Sequence, residues 1–300
     1  MAEGRNIYTV KAFTSDPDEG SAAAVVPDAA GLTDEQMLAV ARAMGFSETA
    51  FMLPTELAGV EFRLRWFTPT IEVSLCGHAT VATLKVLAQE GRLPTDGSHR
   101  TIETLSGTLR VAVEKDENRQ IHRLQLPVPE FREMEIPEDK AKVLLGLYPS
   151  DRLTVWPAVT HGDVPFVPLI SIGNLKKLRP DFRRMKDDPV FSCVCFFTSE
   201  TLKLGNTWHC RFFAPGYGIN EDPVTGAING PLGAYWYQYV DPFKPPRAEY
   251  VGEQGDIIGC PGRVFVTVEG DGARPTNVEI GGEAVITAKE SLNDVLQRIT

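Results

Sequence analysis

The sequence predicts an α+β protein made of two similar halves, and three observations lead there. Strand-length apolar runs recur along the whole chain, whereas only two segments read as long, strongly apolar helices. Each of those helices is introduced by the same arrangement of residues. Arg65-Trp66-Phe67-Thr68-Pro69 and Arg211-Phe212-Phe213-Ala214-Pro215 match at three positions of five, and the other two are conservative. Each is followed by an acid-bearing loop and then a glycine, Gly77 or Gly226, that lies 12 residues after the arginine in the first copy and 15 in the second. A duplicated unit, in which a strand delivers a loop to the start of a helix, explains all three.

Such a unit has a physical use. The first amides of a helix lack internal partners and lie at the positive end of its dipole, so they can hold a carboxylate or phosphate. Glycine at the opening allows close backbone approach. Two such openings can grip one anion.

Taken in order, Ile7 to Phe13 reads as the first strand and Ala22 to Val26, ending at Pro27, as the second. Thr33 to Met44 is an amphipathic helix with Thr33 as cap, Gln36 completing a capping box and Gly45 as stop. Ser47 to Leu53 is apolar behind a polar head. Phe62 to Phe67 is a strand and Ala79 to Glu90 the first central helix, ended by Gly91. Thr101 to Thr104 and Thr108 to Val113 form a hairpin, and Leu124 to Val128 another strand. The Pro- and Glu-rich segment 127–140 marks a crossover, so the expected halves are 1–126 and 127–300, with the last strand or helix able to return to the first half. The second half repeats the pattern: a helix near 138–146, strands near 154–159 and 164–170, a basic polar stretch at 176–186, and strands at 191–198 and 208–213. The second central helix continues through 230–239, with Pro231 placed in its first turn. Strands at 264–268 and 277–280 and a helix at 293–299 complete the chain.

Composition bounds the function. With 300 residues, 43% hydrophobic and 23% charged, the chain has the make-up of a globular protein. A net charge of -10 argues against nucleic acid as a partner, because phosphate binding needs a basic stripe. No apolar run is long enough to cross a membrane and the start shows no signal core, so a cytoplasmic protein is expected. The five scattered cysteines suggest reduced thiols. Cys193-x-Cys195 sits in an apolar, strand-like run without the loop geometry of zinc spacing, and no nucleotide-binding loop is present, so neither a metal nor another cofactor is expected.

Four side chains could carry chemistry. Glu48, at the head of an apolar run, is a carboxylate placed for general acid–base work, or else a solvated loop glutamate. Asp222 precedes the second glycine opening, where an aspartate serves equally as a helix cap. His78 follows the first glycine and can donate to a substrate oxygen. Cys76, at a helix start, can act as a thiolate or fill space as a small hydrophobe.

Ser47-Glu48-Thr49-Ala50-Phe51, Arg65-Trp66-Phe67-Thr68-Pro69, Leu75-Cys76-Gly77-His78-Ala79-Thr80 and Glu221-Asp222-Pro223-Val224-Thr225-Gly226 together resemble the PhzF family of phenazine-biosynthesis-like isomerases, in order and spacing. The resemblance implies the diaminopimelate-epimerase-like fold: two pseudo-symmetric halves, each a curled, mostly antiparallel sheet around a central helix, with the site between them and a homodimer as the assembly. It further implies cofactor-free proton transfer on a small carboxylate, in which Glu48 moves the proton and His78 and Asp222 hold and polarise the substrate. Ser21, Cys76, Gly77, Thr225, Gly226 and Ala227 then line the substrate. Two positions depart from the family pattern. Ala227 stands where a serine is usual, and Ser21 where an asparagine is usual, which points away from dihydro-hydroxyanthranilate as substrate. In related epimerases two cysteines form an acid–base pair; Cys76 matches the first, whereas the second falls near Ala227. Two alternatives follow from these departures: a non-catalytic ligand-binding protein that kept the cleft, and a cofactor-free epimerase that uses Cys76.

Overall fold

The computed structural model describes residues 5–152 and 155–299. The chain forms two compact units, Met1–Leu126 with Ile280–Thr300, and Pro127–Glu279.

In the first unit, β1 (Asn6–Ala12) pairs antiparallel with β2 (Ser21–Val26). Helix α1 (Asp34–Met44) follows; Thr33 and Gln36 exchange side-chain and backbone bonds at its start, and left-handed Gly45 stops it. The chain returns as β3 (Thr49–Leu53), parallel to β2, and turns into antiparallel β4 (Arg63–Phe67) and short β5 (Glu72–Val73). Helix α2 (Gly77–Gln89) comes next, then β6 (Arg100–Thr104), parallel to β4, and the antiparallel β7 (Gly107–Lys115) and β8 (Gln120–Leu126).

Helix α2 is apolar on every side and 10 of its 13 residues are buried, so it needs cover all round. The sheet provides it by curling: β1, β2 and β3 touch the helix, and so do β7 and β8. On the outer face, Met37, Val40 and Ala41 of α1 pack with Ile7, Phe51 and Phe67, each large side chain contributing about 1.5–3 kcal/mol by leaving water.

The second unit repeats this plan pairing by pairing. The sequence runs through β9 (Arg132–Glu133), α3 (Glu138–Leu145), β10 (Val159–His161) and β11 (Val164–Pro168). Helices α4 (Ile172–Lys177) and α5 (Phe182–Met185) then lead to β12 (Val194–Thr198), parallel to β11. Antiparallel β13 (Trp208–Ala214) and β14 (Ile219–Asp222) deliver the chain to α6 (Gly226–Tyr235). After it come β15 (Arg247–Gln254), parallel to β13, then β16 (Gly262–Gly270), antiparallel to β15, and then β17 (Pro275–Gly282). Then β18 (Ala284–Ser291) joins β1 of the first unit and α7 (Leu292–Ile299) packs on α1. Tyr235, at the end of α6, is held by ring contacts with Phe131 and Phe197 and by a 2.7 Å bond to the Pro157 carbonyl.

Several sequence expectations need correction. Pro231 lies in the middle of α6 rather than its first turn, because the helix begins at Gly226; the missing amide breaks the ladder there. The chain just after α6 widens into a π turn over Trp236–Val240. The stretch 176–186 takes in the end of α4, whose cap is Ser171, and the whole of α5, whose cap is Asp181. The strand expected at 154–159 is β10, starting at Val159, and Thr154 lies outside the described residues. Strands β15 and β18 have no counterpart in the sequence reading.

Candidate active site

In the first unit three of the expected groups meet. Strand β3 begins at Thr49, which fixes Glu48 at its mouth, and the Glu48 carbonyl accepts from the Ala24 amide at 3.4 Å. Helix α2 begins at Gly77 with Cys76 as its cap residue, so His78 stands in its first turn. His78 Nε2 lies 3.2 Å from Glu48 Oε2 and 3.4 Å from Ser47 Oγ, and His78 Nδ1 lies 3.6 Å from Cys76 Sγ. The two partners are shielded, with side-chain exposures of 15% for Glu48 and 7% for His78. The Cys76 thiol can donate to Nδ1, which leaves Nε2 facing Glu48 Oε2 at 3.2 Å without making a hydrogen bond to it. Glu48 Oε2 is buried without a hydrogen bond of good geometry, which leaves a lone pair available to a proton.

The helix opening itself is not capped by a side chain. Thr80 holds it from behind, its hydroxyl donating to the Cys76 carbonyl at 2.6 Å. Ser21 opens β2 opposite Ala12, three residues before the Ala24 that meets Glu48.

In the second unit, Asp222 ends β14 and accepts from the Thr225 hydroxyl at 2.5 Å. Thr225 is the cap residue of α6 but gives its amides no side-chain cap, Gly226 is buried at the first helical position, and Ala227 is exposed. An amide chain that the sequence reading did not include lies behind the opening. Gln254 Nε2 donates to the Asp222 carbonyl at 2.9 Å and to Thr225 Oγ1 at 3.0 Å, and Gln254 Oε1 accepts from the Thr225 amide at 3.0 Å. Asn229 Nδ2 donates to Gln254 Oε1 at 2.8 Å and to the Thr225 carbonyl at 3.0 Å. The signal for Asn229 was a lone amide inside the apolar run of α6; Gln254 sits on the strand that sequence reasoning missed.

The repeated arginines hold the fold, not a ligand. Arg65 grips Glu72 with two bonds of 2.7 Å and Asp34 of α1 with a third, and its guanidinium lies over Phe67. Arg211 grips Glu221 at 2.8 and 2.7 Å, reaches the Leu175 carbonyl of α4, and lies over Phe213. Each clamp ties the loop before a central helix to the strand that precedes it. Anchoring on these pairs, the strand registers set Glu48 level with Cys193, Val73 with Asp222, Cys76 with Thr225 and His78 with Ala227. The partner of Cys76 in the second copy is therefore Thr225, two residues before the position expected from sequence.

Two groups of potential metal ligands occur among the described residues, Glu48 with Cys76 and His78, and His209 with Glu253 and Asp256. In the first, the three ligand atoms lie within 4.8 Å of one another, with the imidazole already 3.2 Å from the carboxylate and 3.6 Å from the thiol. In the second, Glu253 is already filled by His209, Asn206 and the amides of Leu202 and Lys203, and Asp256 by Arg263.

Comparison with known proteins places the chain in a family. The family model of phenazine biosynthesis-like proteins, PhzC-PhzF, matches residues 10–290. An uncharacterized isomerase of Clostridium acetobutylicum is 34% identical over 97% of this chain and 99% of its own. The trans-2,3-dihydro-3-hydroxyanthranilate isomerase of Pseudomonas aeruginosa is 32% identical over 93% of this chain and 96% of its own. A PhzF-family crystal structure from Bacillus anthracis superposes with a TM-score of 0.86 at 31% identity, covering 96% of this chain and 98% of that one. A probable proline racemase from Agrobacterium radiobacter shares the fold, with a TM-score of 0.60 at 11% identity over 96% of this chain and 92% of that one.

Proposed function

The chain belongs to the phenazine biosynthesis-like family, PhzC-PhzF, and is an isomerase; we propose that it moves a proton on a small carboxylate-bearing substrate without a cofactor, with Glu48 as the general acid–base group. The observation that carries this reading is the Glu48 carboxylate, shielded from water, beside a histidine at 3.2 Å, with one oxygen uncommitted. Such an oxygen takes a proton from a carbon next to an activating group and returns it elsewhere, a role worth roughly 10²–10⁴-fold in rate. His78, with Asp222 from the second motif, holds and polarises the substrate. The openings of α2 and α6, neither capped by a side chain, offer their amides to its carboxylate and to developing negative charge. That both openings serve one substrate between the two halves, and that the protein works as a homodimer, belong to this proposal and rest on the duplicated motif and the family. Ala227 presents no hydroxyl at the second opening, which favours a substrate other than that of the Pseudomonas relative.

The test is carbon-bound hydrogen exchange in D₂O, followed by NMR, over a panel of small carboxylates that includes cyclic dienes and amino acids. Wild type is expected to exchange a panel member and Glu48→Gln to lose that exchange with its fold intact. Exchange retained by Glu48→Gln removes Glu48 from the mechanism.

A second reading has its own observation. Cys76 Sγ lies 3.6 Å from His78 Nδ1, and thiol, imidazole and carboxylate each place a ligand atom within 4.8 Å of the other two. An epimerase would use the thiol and the carboxylate on opposite faces of one carbon. Cys76→Ala decides between them: turnover within about threefold of wild type leaves Glu48 as the single proton carrier, whereas a loss of about 10²-fold or more makes the thiol a second one.

A further inference from the structure

Behind the opening of α6 the hydrogen bonds run in one direction, and the direction is set by a group that can only donate. The Trp208 indole, fully buried, donates Nε1–H to Asn229 Oδ1 at 3.0 Å. That fixes the Asn229 amide, whose nitrogen must then donate to Gln254 Oε1. The same step fixes Gln254, whose nitrogen must donate to the Asp222 carbonyl and to Thr225 Oγ1. Thr225 Oγ1, now an acceptor, has its proton left for Asp222 Oδ2. Asn229 and Gln254 are 0% and 1% exposed. The chain has been given room: a Cβ at Gly252 would lie 2.2 Å from Asn229 Oδ1 and 2.5 Å from Trp208 Nε1, and one at Gly255 would lie 2.7 Å from the Pro223 carbonyl. In the first unit Thr104, at the position of Gln254, bonds among the described residues only within its own turn, to the Gly107 carbonyl and from the Ser106 amide, and the Ser106 hydroxyl reaches the Ser74 carbonyl. Both units therefore tie the loop before the central helix to the end of the parallel strand, but only the second delivers a donor to a carboxylate.

We propose that Gln254 is the positioning residue of the second opening: it aligns the Thr225 hydroxyl on Asp222 and so fixes the carboxylate that faces substrate. This rests on the role given above to Asp222, and it makes the amide, not the helix cap, the part that sets the carboxylate's orientation. Cooperative bonds along a buried chain strengthen one another, so the joint that bonds both Asp222 and Thr225 controls the end of the line.

The test compares Gln254→Leu, which removes all these bonds, with Gln254→Glu, which keeps the acceptor for the Thr225 amide and removes the donor. Hydrogen exchange of the folded protein is read first. Gln254→Leu is expected to raise exchange of the Thr225 amide about tenfold while Phe196 and Phe213 keep their protection; Gln254→Glu is expected to keep the Thr225 amide protected. Unchanged exchange at Thr225 in Gln254→Leu, or equal loss throughout the second unit, overturns the proposal. On the exchanging substrate, both variants are expected to lose kcat about 10²-fold with KM within about threefold. Added to Asp222→Asn, Gln254→Leu is expected to cost less than about twofold more. Full kcat in Gln254→Glu, or additive losses with Asp222→Asn, also overturn it. Should wild type exchange no panel member, the proposed proton transfer on a small carboxylate is what fails, and the amide pattern still decides the role of Gln254.

Discussion

The two copies of the strand–loop–helix unit share their frame and differ in everything reactive. Each has an arginine that clamps a glutamate and lies over a phenylalanine, and each has a side chain one turn into the helix, Thr80 or Asn229, that donates to the cap carbonyl. The separation between arginine and glutamate is 7 residues in the first copy and 10 in the second. A single 3₁₀ turn, Pro215–Tyr217, accounts for the extra length. Around this frame Glu48, His78 and Cys76 in the first copy are replaced at the equivalent positions by Cys193, Ala227 and Thr225 in the second, and Asp222 in the second by Val73 in the first. What holds the fold was kept twice, whereas the side chains able to carry a proton differ between the copies.

The largest test of that difference pairs Glu48→Gln with Cys193→Ala, the level position in the second copy. Glu48→Gln is expected to cost at least about 10²-fold in proton exchange and Cys193→Ala less than about threefold; similar losses would mean that both copies carry protons. Next come the clamps. Arg211→Met leaves Glu221 nearly buried and unpaired, and should cost about 3 kcal/mol in urea unfolding. Arg65→Met, whose Glu72 is 21% exposed against 13% for Glu221, should cost less.

A smaller effect is expected at Gly252. Its level position in the first copy is Ile102, which fills space that the second copy keeps for Asn229 and Trp208. Gly252→Ala should destabilise by about 2 kcal/mol through overpacking and free the Asn229 amide to exchange; an unchanged melting curve would show that the space is not needed.

The smallest effect is a pH dependence. Burial opposes the charge of Glu253, but His209, Asn206 and the Leu202 and Lys203 amides outweigh it and hold its pKa down at about 2, below the ordinary 4.5. A carboxyl lowered on folding stabilises above its unfolded pKa, and that contribution drains away as pH falls from about 4.5 through about 2. Urea unfolding between pH 6 and 3 should show this slope in wild type and lose part of it in Glu253→Gln.

Much of the frame was legible because it was written twice: the arginine, the aromatics and the glycine repeat, and the capping box at Thr33 and Gln36 is a local signal. The grouping of Glu48, Cys76 and His78 was legible only through motif resemblance, since Glu48 and His78 meet although they lie 30 positions apart in the chain. Strand β15 was not legible. Its first half alternates, with Ala248 and Tyr250 in and Arg247 and Glu249 out, but its end buries Gly252, Glu253 and Gln254, which no hydropathy pattern assigns to an interior. Those three are buried because partners meet them there: His209 for Glu253, and the opening of α6 for Gln254. Pro231 misled for a similar reason, since its local preference is for a first turn while the surrounding apolar contacts keep the helix running past it.

The return of β18 to β1 has a consequence for how the chain is made. Asn6 pairs with Ser291, and the Leu292 amide bonds the Arg5 carbonyl, so the first unit draws strands from both extremes of the sequence. The second unit is one uninterrupted segment, Pro127–Glu279. On the ribosome, where domains form as their residues emerge, the later-made unit can close while the earlier one still lacks a strand. The outer edge of β1 then stays bare until β18 leaves the exit tunnel.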